Sequence, residues 1–242
     1  MEDLNFISST LKSKLENHGI EVHFFKVQWY NENVDNIFNL DYPKNTLSCV
    51  ILTKPDFFEK AFIPYVKSNK ICTPNKKDLI DNCIKIHINR ALNDLQAYGP
   101  VCMYDYELLP NRRPKVLVQT AAHISGAAFY YQQKHLQADY QGKKLFGVCV
   151  HPQYGGWFAI RSVVVFTKLQ CPELPFKPPK DCLPTEEQRL DVLKKFNTNW
   201  KDASYRNCIP VSSKYSNLQR KYFETPPKER AALLDEIFNL QV

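Results

Sequence analysis

A proline-rich stretch after residue 170 restricts the fold of this chain more than any other feature. Five prolines fall within fourteen residues: Pro172, Pro175, Pro178, Pro179 and Pro184. Proline fixes φ and has no amide hydrogen, so helix interiors and central strands exclude such a stretch. We predict an extended connector, which divides the chain into a core at 1–170 and a segment at 171–242 holding the connector and a C-terminal helical cap. We expect both parts to be integrated in one domain.

Apolar periodicity predicts three helices in the core. Residues 3–18 carry apolar side chains at spacings of three and four, namely Leu4, Ile7, Leu11 and Leu15. Gly19 follows at the position of a helix C-cap. Residues 56–66 and 78–96 also suit helices, and Gly99 with Pro100 ends the last of them.

Strands are predicted where β-branched and aromatic residues concentrate, at 21–29, 47–53, 101–108, 115–119, 145–151 and 157–166. The turn Tyr154-Gly155-Gly156 lies between the last two segments, which predicts that they pair as a hairpin. Helices and strands do not alternate strictly along the chain. The predicted fold class is therefore α+β rather than a doubly wound parallel sheet.

Two helices are predicted after the connector. Thr185 and Gln188 form a capping box that opens the first of them. The second begins at Thr225, with Pro226 as its first helical residue. Its apolar face is expected to bury four side chains, Leu233, Leu234, Ile237 and Phe238.

Composition disfavours several functional classes. The net charge is +7, but the basic residues form no long block and no nucleic-acid motif, so nucleic acid is not the expected partner. No apolar run approaches the roughly 20 residues of a membrane helix, and the acidic N-terminus does not resemble a signal peptide. The eight cysteines form no C-x-x-C pair. We expect free thiols in a cytoplasmic protein, with no metal held by protein side chains.

Compact cofactor and hydrolase motifs are missing from the sequence. There is no G-x-G-x-x-G and no P-loop pattern, which disfavours Rossmann-type dinucleotide binding and P-loop phosphate binding. There is also no H-E-x-x-H and no G-x-S-x-G, the signatures of zinc proteases and serine hydrolases. Flavin binding stays open, because some flavin-binding sheets use no compact motif.

Two residues stand out from apolar surroundings. His123 opens an H-x-x-G step, but the metal-ligating pattern D-x-H-x-x-G needs an aspartate where the chain has Ala121. Without a carboxylate to orient the imidazole, a hydrogen-bonded packing histidine is the better interpretation. Arg161 lies in the apolar run 157–163, so it is either paired, part of a site, or exposed on an outer strand face.

Several long motifs give the chain a resemblance to a known family. They read DYE at 105–107, NRRPKVLVQTAAH at 111–123, GAAFYYQ at 126–132, GVCVHP at 147–152 and GGWFAIR at 155–161. Shorter matches continue in the same order to TPP at 225–227. Over nearly its whole length the chain resembles the CblC family of cobalamin-processing chaperones, the methylmalonic aciduria and homocystinuria type C proteins.

The resemblance implies both a fold and an activity. The implied fold is similar to flavin nitroreductases, with an antiparallel sheet flanked by helices and a C-terminal helical cap. Members bind cobalamin base-off, transfer the alkyl group of alkylcobalamins to glutathione, and reductively decyanate cyanocobalamin with FMN or FAD as the electron source. A protein partner in cobalamin trafficking and the methionine synthase route is also implied.

Site residues follow from the resemblance position by position. Glutathione is expected to meet Arg161, Arg206 and Arg230. The residues expected to contact cobalamin are Asp105, Val116, Leu117, Val118, Gln119, Tyr130, Tyr131, Gln132, Cys149 and Ile160. Guanidinium groups suit the two carboxylates of glutathione, and positive charge favours its thiolate. No catalytic protein residue is implied, although a catalytic Cys149 remains the alternative to a Cys149 that only lines the site.

Two other functions stay open at this point. The chain could be a non-catalytic cobalamin carrier that hands its cargo to partner proteins. It could instead be a flavin or thiol oxidoreductase in which cobalt-dependent chemistry oxidises glutathione.

Overall fold

The computed structural model describes residues 2–70, 78–136 and 144–239. The α-helices in these ranges are α1 Glu2–Leu15, α2 Val27–Asn31, α3 Ile63–Ser68, α4 Leu79–Leu92, α5 Val118–Ile124, α6 Glu186–Asn199, α7 Asn217–Glu224 and α8 Ala231–Asn239. The strands are β1 Ile20–Lys26, β2 Thr46–Thr53, β3 Pro100–Tyr104, β4 Phe129–Tyr131, β5 Val148–Val150 and β6 Ala159–Gln170. None of the helices in the described ranges has the length and apolar character needed to cross a membrane.

Four strands form one antiparallel sheet in the order β1-β2-β6-β3. The short strands β4 and β5 pair with each other, also antiparallel, as a separate two-stranded sheet. The mixture of helices with antiparallel sheet confirms the predicted α+β class.

Helices cover both faces of the main sheet. Strand β2 is buried at every position, and its successive side chains face opposite sides. Leu47 and Ile51 pack with α1 and α4 in one apolar cluster. Val50 and Leu52 pack with α2 and α5 in a second cluster on the opposite face. The main sheet is therefore closed to ligands on both faces at its centre.

The segment after the connector packs against both sheets. Leu193 of α6 shares a third apolar cluster with Tyr131 of β4 and Val148 of β5. Leu234 and Ile237 of α8 lie in the cluster that α1 and α4 form on the main sheet. The C-terminal helices thus cover the small sheet and one edge of the core.

The proline-rich connector is held by one buried tyrosine. Residues 174–184 form neither helix nor strand, which confirms the predicted extended connector. The Tyr131 hydroxyl donates to Asp181 Oδ1 at 2.5 Å and accepts the amide hydrogens of Cys182 and Leu183, each at 2.8 Å. This hydroxyl provides the hydrogen-bonding partner that an extended segment would otherwise find in a sheet.

Several local predictions are confirmed. Helix α1 continues into a 3₁₀ turn at Glu16–His18, which ends at the predicted C-cap, where Gly19 adopts a φ of +68°. Strand β2 coincides with the predicted 47–53 segment. The capping box of Thr185 and Gln188 opens α6 with both of its hydrogen bonds formed. For the two caps, the determining interactions lie within a few residues of one another along the chain.

Predictions that depended on distant packing are partly wrong. Residues 115–119 are not a strand, because α5 begins at Val118 and buries Val118, Ala121 and Ala122 at helical spacing. The segments 145–151 and 157–166 do not form a hairpin, since β5 pairs with β4 while β6 pairs with β2 and β3. Only a single bridge between His151 and Gly155 remains of that hairpin.

The C-terminal helices also differ from their prediction. Thr225 does not begin a helix but follows α7, which was not predicted, and α8 begins only at Ala231. Leu233, Leu234 and Ile237 are buried as predicted, whereas Phe238 is 37% exposed. The short α7 was missed because only Tyr222 and Gln219 on it are buried.

We expect Tyr131→Phe to lower the free energy of unfolding by about 1–3 kcal/mol, because the amides of Cys182 and Leu183 would lose their acceptor in a buried setting. Urea unfolding measures the change. Tyr98→Phe is the matched control, because it removes a hydroxyl whose partner Asp3 lies on the surface. Equal stability of the Tyr131→Phe variant and the parent would contradict the proposed role.

Candidate functional site

Three adjoining cavities form one cleft beside the small sheet. The largest, of about 800 Å³, shares Gln119 and Tyr130 with a second cavity of about 440 Å³. It shares Trp200 with a third cavity of about 500 Å³. We refer to these as the central, side and arginine compartments. The central compartment therefore adjoins both of the others, across Gln119 and Tyr130 on one side and across Trp200 on the other.

The central compartment has aromatic walls from both halves of the chain. Tyr130 of β4 and Phe196 of α6 line it, together with Phe146 and Trp200. Phe146 is 70% exposed and Trp200 is 60% exposed, which is unusual for side chains of this size. The side chain of Asn197 holds the Phe146 backbone through two hydrogen bonds of 2.9 Å. The ring of Phe146 is thus presented to solvent on a fixed backbone.

The side compartment is more polar. Leu117, Gln119 and Gln132 line one wall, and the loop at 32–35 lines the other. The amide of Leu117 donates to the buried Tyr30 hydroxyl at 2.9 Å, which fixes the entry to α5. This compartment suits a polar group attached to whatever fills the central one.

The arginine compartment collects positive charge on aromatic walls. Arg161 of β6, Arg206 and Arg220 of α7 line it, and Glu224 is an acidic side chain on its wall. Its other lining residues include Lys201, Trp157, Tyr215 and Phe223. Guanidinium groups converging on one small cavity favour a ligand with carboxylates.

Arg206 is positioned by the glycine turn between β5 and β6. Gly155 adopts a φ of +58°, and a Cβ on either Gly155 or Gly156 would lie within 2.8 Å of the Arg206 backbone. The Gly156 amide donates to the Arg206 carbonyl at 3.0 Å, and the guanidinium donates to the Gly156 carbonyl. The guanidinium also lies 5.0 Å from the ring of Tyr205 and 5.1 Å from that of Tyr215. Side chains larger than glycine at this turn would push Arg206 out of the cleft.

Arg161 lies among carboxylates. Its Nη1 is 3.8 Å from Asp81 Oδ1, and its side chain is only 15% exposed. Burial raises the pKa of Asp81 to about 6, and the neighbouring Asp78 adds to the rise while Arg161 opposes it. Burial also raises the pKa of Asp105, again opposed by Arg161. Because the Asp81 contact is long, Arg161 can still bind a second carboxylate.

The structure brings only some of the predicted cobalamin-contacting residues to the cavity surface. Leu117, Gln119, Tyr130 and Gln132 line the central or side compartments. The apolar residues Val116, Val118, Cys149 and Ile160 belong to the cluster beneath them. Tyr131 is fully buried and holds the connector, and Asp105 lies beside Arg161 rather than on a compartment wall.

Cys149 is poorly suited to act as a nucleophile. It is 8% exposed, and its Sγ lies 3.8 Å from the Gln119 carbonyl oxygen. Burial raises the pKa of this thiol well above its ordinary value, so the thiolate is disfavoured. A lining role for Cys149 agrees better with this geometry than a catalytic one.

The structure brings two of the three predicted arginines together. Arg161 and Arg206 share the arginine compartment, but Arg230 is absent from its lining. The Arg230 guanidinium lies 4.4 Å from the Tyr222 ring, and its Nε donates to the Thr225 carbonyl at 3.0 Å. Arg220 is the third arginine in the lining, and it was not predicted because α7 was not predicted.

His123 acts as a packing residue. Its Nδ1 accepts the amide hydrogen of Tyr130 at 3.1 Å, and its ring lies edge-on to Phe129 at 4.9 Å. Burial lowers the pKa of His123, which keeps the imidazole neutral. This confirms the interpretation drawn from the missing aspartate at Ala121.

Among the described residues, one group of side chains has the spacing of metal ligands: Glu21, His23 and His151. The Gln153 amide donates to His151 Nδ1 at 3.1 Å, so Nε2 carries the proton and donates to Glu21 at 2.8 Å. Burial opposes ionisation of Glu21, but the hydrogen bonds from His151 and His23 lower its pKa to about 2. A protonated Nε2 has no lone pair for a metal, so hydrogen bonding accounts for the group.

The fold and cleft together define a class of protein. A sheet closed at its centre on both faces, beside a large aromatic cavity that adjoins a polar one and an arginine-rich one, is typical of a protein that binds ligands in a cleft at the side of its sheet.

Comparison with known proteins identifies the family. The model of the methylmalonic aciduria and homocystinuria type C family matches residues 19–234. The chain belongs to this family, which confirms the resemblance seen in its motifs.

Relatives match over most of their length. A chicken protein named cyanocobalamin reductase / alkylcobalamin dealkylase is 44% identical over 94% of this chain and 95% of its own. A human protein of the same name is 42% identical, over 93% of this chain and 80% of its own. The crystal structure of the Caenorhabditis elegans B12-trafficking protein CblC superposes with a TM-score of 0.90 at 32% identity, covering 100% of this chain and 99% of that one.

The raised pKa of Asp81 predicts a pH-dependent stability. Between its ordinary pKa near 4 and its folded value of about 6, the folded protein keeps a proton that the unfolded chain releases. The contribution of Asp81 to stability should therefore fall by about 1–2 kcal/mol, after allowance for partial exposure, as the pH rises from about 4 to about 6, and should then stay level.

Asp81→Asn removes this titration. We expect the variant to gain stability relative to the parent as the pH rises from 4.5 to 7.5, measured by urea unfolding at both values. A difference between the two proteins that stays constant with pH would contradict the raised pKa.

Proposed function

We propose that this chain is a cobalamin-processing enzyme that dealkylates alkylcobalamins and reductively decyanates cyanocobalamin. The observation that carries the proposal is the junction at Trp200, where a large aromatic compartment meets an arginine compartment. The printed names of the chicken and human relatives support the same two reactions. We also propose that the sheet with helices on both faces is of the flavin nitroreductase type.

Cobalamin would bind as the bulky substrate in the central compartment. Its flat corrin ring suits the walls formed by Tyr130, Phe146 and Trp200. Its nucleotide tail would occupy the side compartment past Gln119 and Tyr130, the two residues that both cavities share. Binding in two parts would draw the benzimidazole away from cobalt and leave the vitamin base-off.

Within the described residues, neither His123 nor His151 is free to replace the benzimidazole. The Nδ1 of His123 already accepts the Tyr130 amide, and the His151 ring is held by Glu21 and Gln153. Without a lower nitrogen ligand, cob(I)alamin becomes a better leaving group and Co(III) is easier to reduce. The protein would thus favour both reactions by leaving the cobalt without a lower nitrogen ligand.

Glutathione would bind as the carboxylate-bearing co-substrate. Arg161 and Arg206 provide guanidinium groups, and the positive charge of the compartment favours the thiolate. The thiolate attacks the alkyl carbon, a C–S bond forms, and the Co–C bond breaks with its electron pair left on cobalt. The products are an S-alkylglutathione and cob(I)alamin, so no protein nucleophile is needed and Cys149 remains a lining residue.

Decyanation would need an external reductant. We propose reduced FMN or FAD as the electron source, with cyanide leaving as cobalt is reduced. The exposed rings of Phe146 and Trp200 at the cleft rim leave the cobalamin accessible to such a donor.

A non-catalytic carrier is the second candidate. The Caenorhabditis elegans structure is described as that of a B12-trafficking protein, which favours hand-off to a protein partner. The cleft rim with the exposed rings of Phe146 and Trp200 would also allow a partner protein to take up the bound cobalamin. We also propose a cytoplasmic setting, because the seven cysteines of the described residues are free, as thiols are in a reducing compartment.

An anaerobic absorbance spectrum with methylcobalamin tests the proposal. We expect a shift to the base-off spectrum on binding, and then conversion to cob(I)alamin with S-methylglutathione formed when glutathione is added. A base-off shift without further change would favour the carrier. The absence of any shift would reject cobalamin binding in this cleft and favour a flavin oxidoreductase.

Arg161→Gln should separate the two substrates. We expect the KM for glutathione to rise about tenfold, because a charge-assisted contact to carboxylate is lost, while the base-off spectrum of bound cobalamin is unchanged. Lys168→Gln is the matched control, since it removes a cation from an exposed position on the same strand. An equal loss of cobalamin binding and glutathione use in the Arg161 variant would contradict the assignment.

A further inference from the structure

Helix α7 presents two opposite charges to the arginine compartment. Arg220, Phe223 and Glu224 all line that cavity, and their spacing of three and four places them on one face of the helix. The other face buries Gln219 and Tyr222 in the core. The helix is therefore fixed from behind while its charged pair faces the cleft.

Neither charge is used within the described part of the protein. The side chains of Arg220 and Glu224 form no hydrogen bond or ion pair with another described residue, nor with each other. Their neighbour Lys221 behaves differently, because its Nζ lies 2.8 Å from Glu236 of α8. Lys221 therefore has a structural partner, whereas its neighbour Arg220 faces the arginine compartment.

A carboxylate in an arginine compartment needs an explanation. If the compartment served a simple anion, Glu224 would weaken binding, because it lowers the positive potential around Arg161 and Arg206. For a ligand that carries an ammonium group next to a carboxylate, Glu224 would instead strengthen binding. Such a ligand gains from Glu224 and Arg220 together, with one turn of helix setting their separation.

We infer that Arg220 and Glu224 bind the α-amino-acid end of a γ-glutamyl thiol, with Arg220 on its carboxylate and Glu224 on its ammonium group. The inference rests on the proposed function, since glutathione is such a thiol. Arg161 and Arg206, which come from other elements, are left for the carboxylate at the opposite end of the molecule. The pair on α7 thus sets which thiols the enzyme accepts.

Binding by Arg220 and Glu224 distinguishes between thiols, which Arg161 and Arg206 alone do not. Glutathione and γ-glutamylcysteine carry the zwitterionic end, whereas cysteinylglycine lacks the γ-glutamyl group. Arg220→Gln and Glu224→Gln should each raise the KM for glutathione about fivefold, as expected for loss of one charge-assisted contact at an exposed site. The KM for cysteinylglycine should not change in either variant.

The experiment compares both variants with Lys221→Gln as the matched control. Anaerobic dealkylation of methylcobalamin is followed with glutathione and with cysteinylglycine. Binding of S-methylglutathione and of S-methyl-cysteinylglycine is measured by calorimetry on the same proteins, which gives a readout that needs no turnover. Lys221→Gln removes a cation from the same helix outside the cavity, so it should leave both thiols unaffected.

Each outcome is decisive. A loss confined to the γ-glutamyl ligands supports the inference. An equal loss for both thiols, or no loss in the Arg220 and Glu224 variants, overturns it while leaving the dealkylase proposal in place. If the parent turns over no thiol, the proposed function fails, and calorimetry alone then decides whether α7 binds the γ-glutamyl end. If the parent binds neither ligand, both proposals are wrong.

Discussion

The close contact between the Gly155-Gly156 turn and the Arg206 backbone joins the two parts of the chain, and the cleft depends on it. The turn belongs to the core, between β5 and β6, while Arg206 follows α6 in the C-terminal segment. Because no side chain separates them, the two backbones exchange a hydrogen bond directly. Trp157 and Arg161, next along the same chain, are thereby held opposite Arg206. The buried Tyr131 hydroxyl fixes the other end of the same segment.

The proposed function requires one site to serve two very different substrates. The main sheet is covered on both faces, and the cleft lies where the small sheet meets the C-terminal helices. That region offers aromatic surface for the proposed flat macrocycle and guanidinium groups for the proposed thiol, separated by Trp200. Holding both reactants in adjoining compartments converts an encounter between them into a step within one complex. The chemistry then needs little from the protein beyond position and charge.

How much could be predicted from the sequence depends on the range of the interactions involved. The Gly19 C-cap, the capping box at Thr185 and the proline connector are determined by neighbouring residues, and all three were predicted correctly. The 115–119 segment was mistaken for a strand, because a short apolar run fits a strand and a buried helix equally well. The expected hairpin failed because β5 finds its partner in β4 rather than in the strand that follows it. At the site, Arg161 was recognisable as a charge in an apolar strand, while Arg220 lies on an amphipathic helix too short to give a periodic signal.

The position of the arginine compartment has a consequence for synthesis on the ribosome. Its walls include Arg206, Arg220 and Glu224, all of which are translated after the complete main sheet. A nascent chain that has reached the connector can already assemble its core, since domains begin to fold from the N-terminal side. On the function proposed above, such a chain cannot yet hold a thiol beside a bound vitamin. Thiol-dependent dealkylation would therefore begin only after α7 has been translated, and a premature stop after the connector would leave a sheet without the proposed thiol site.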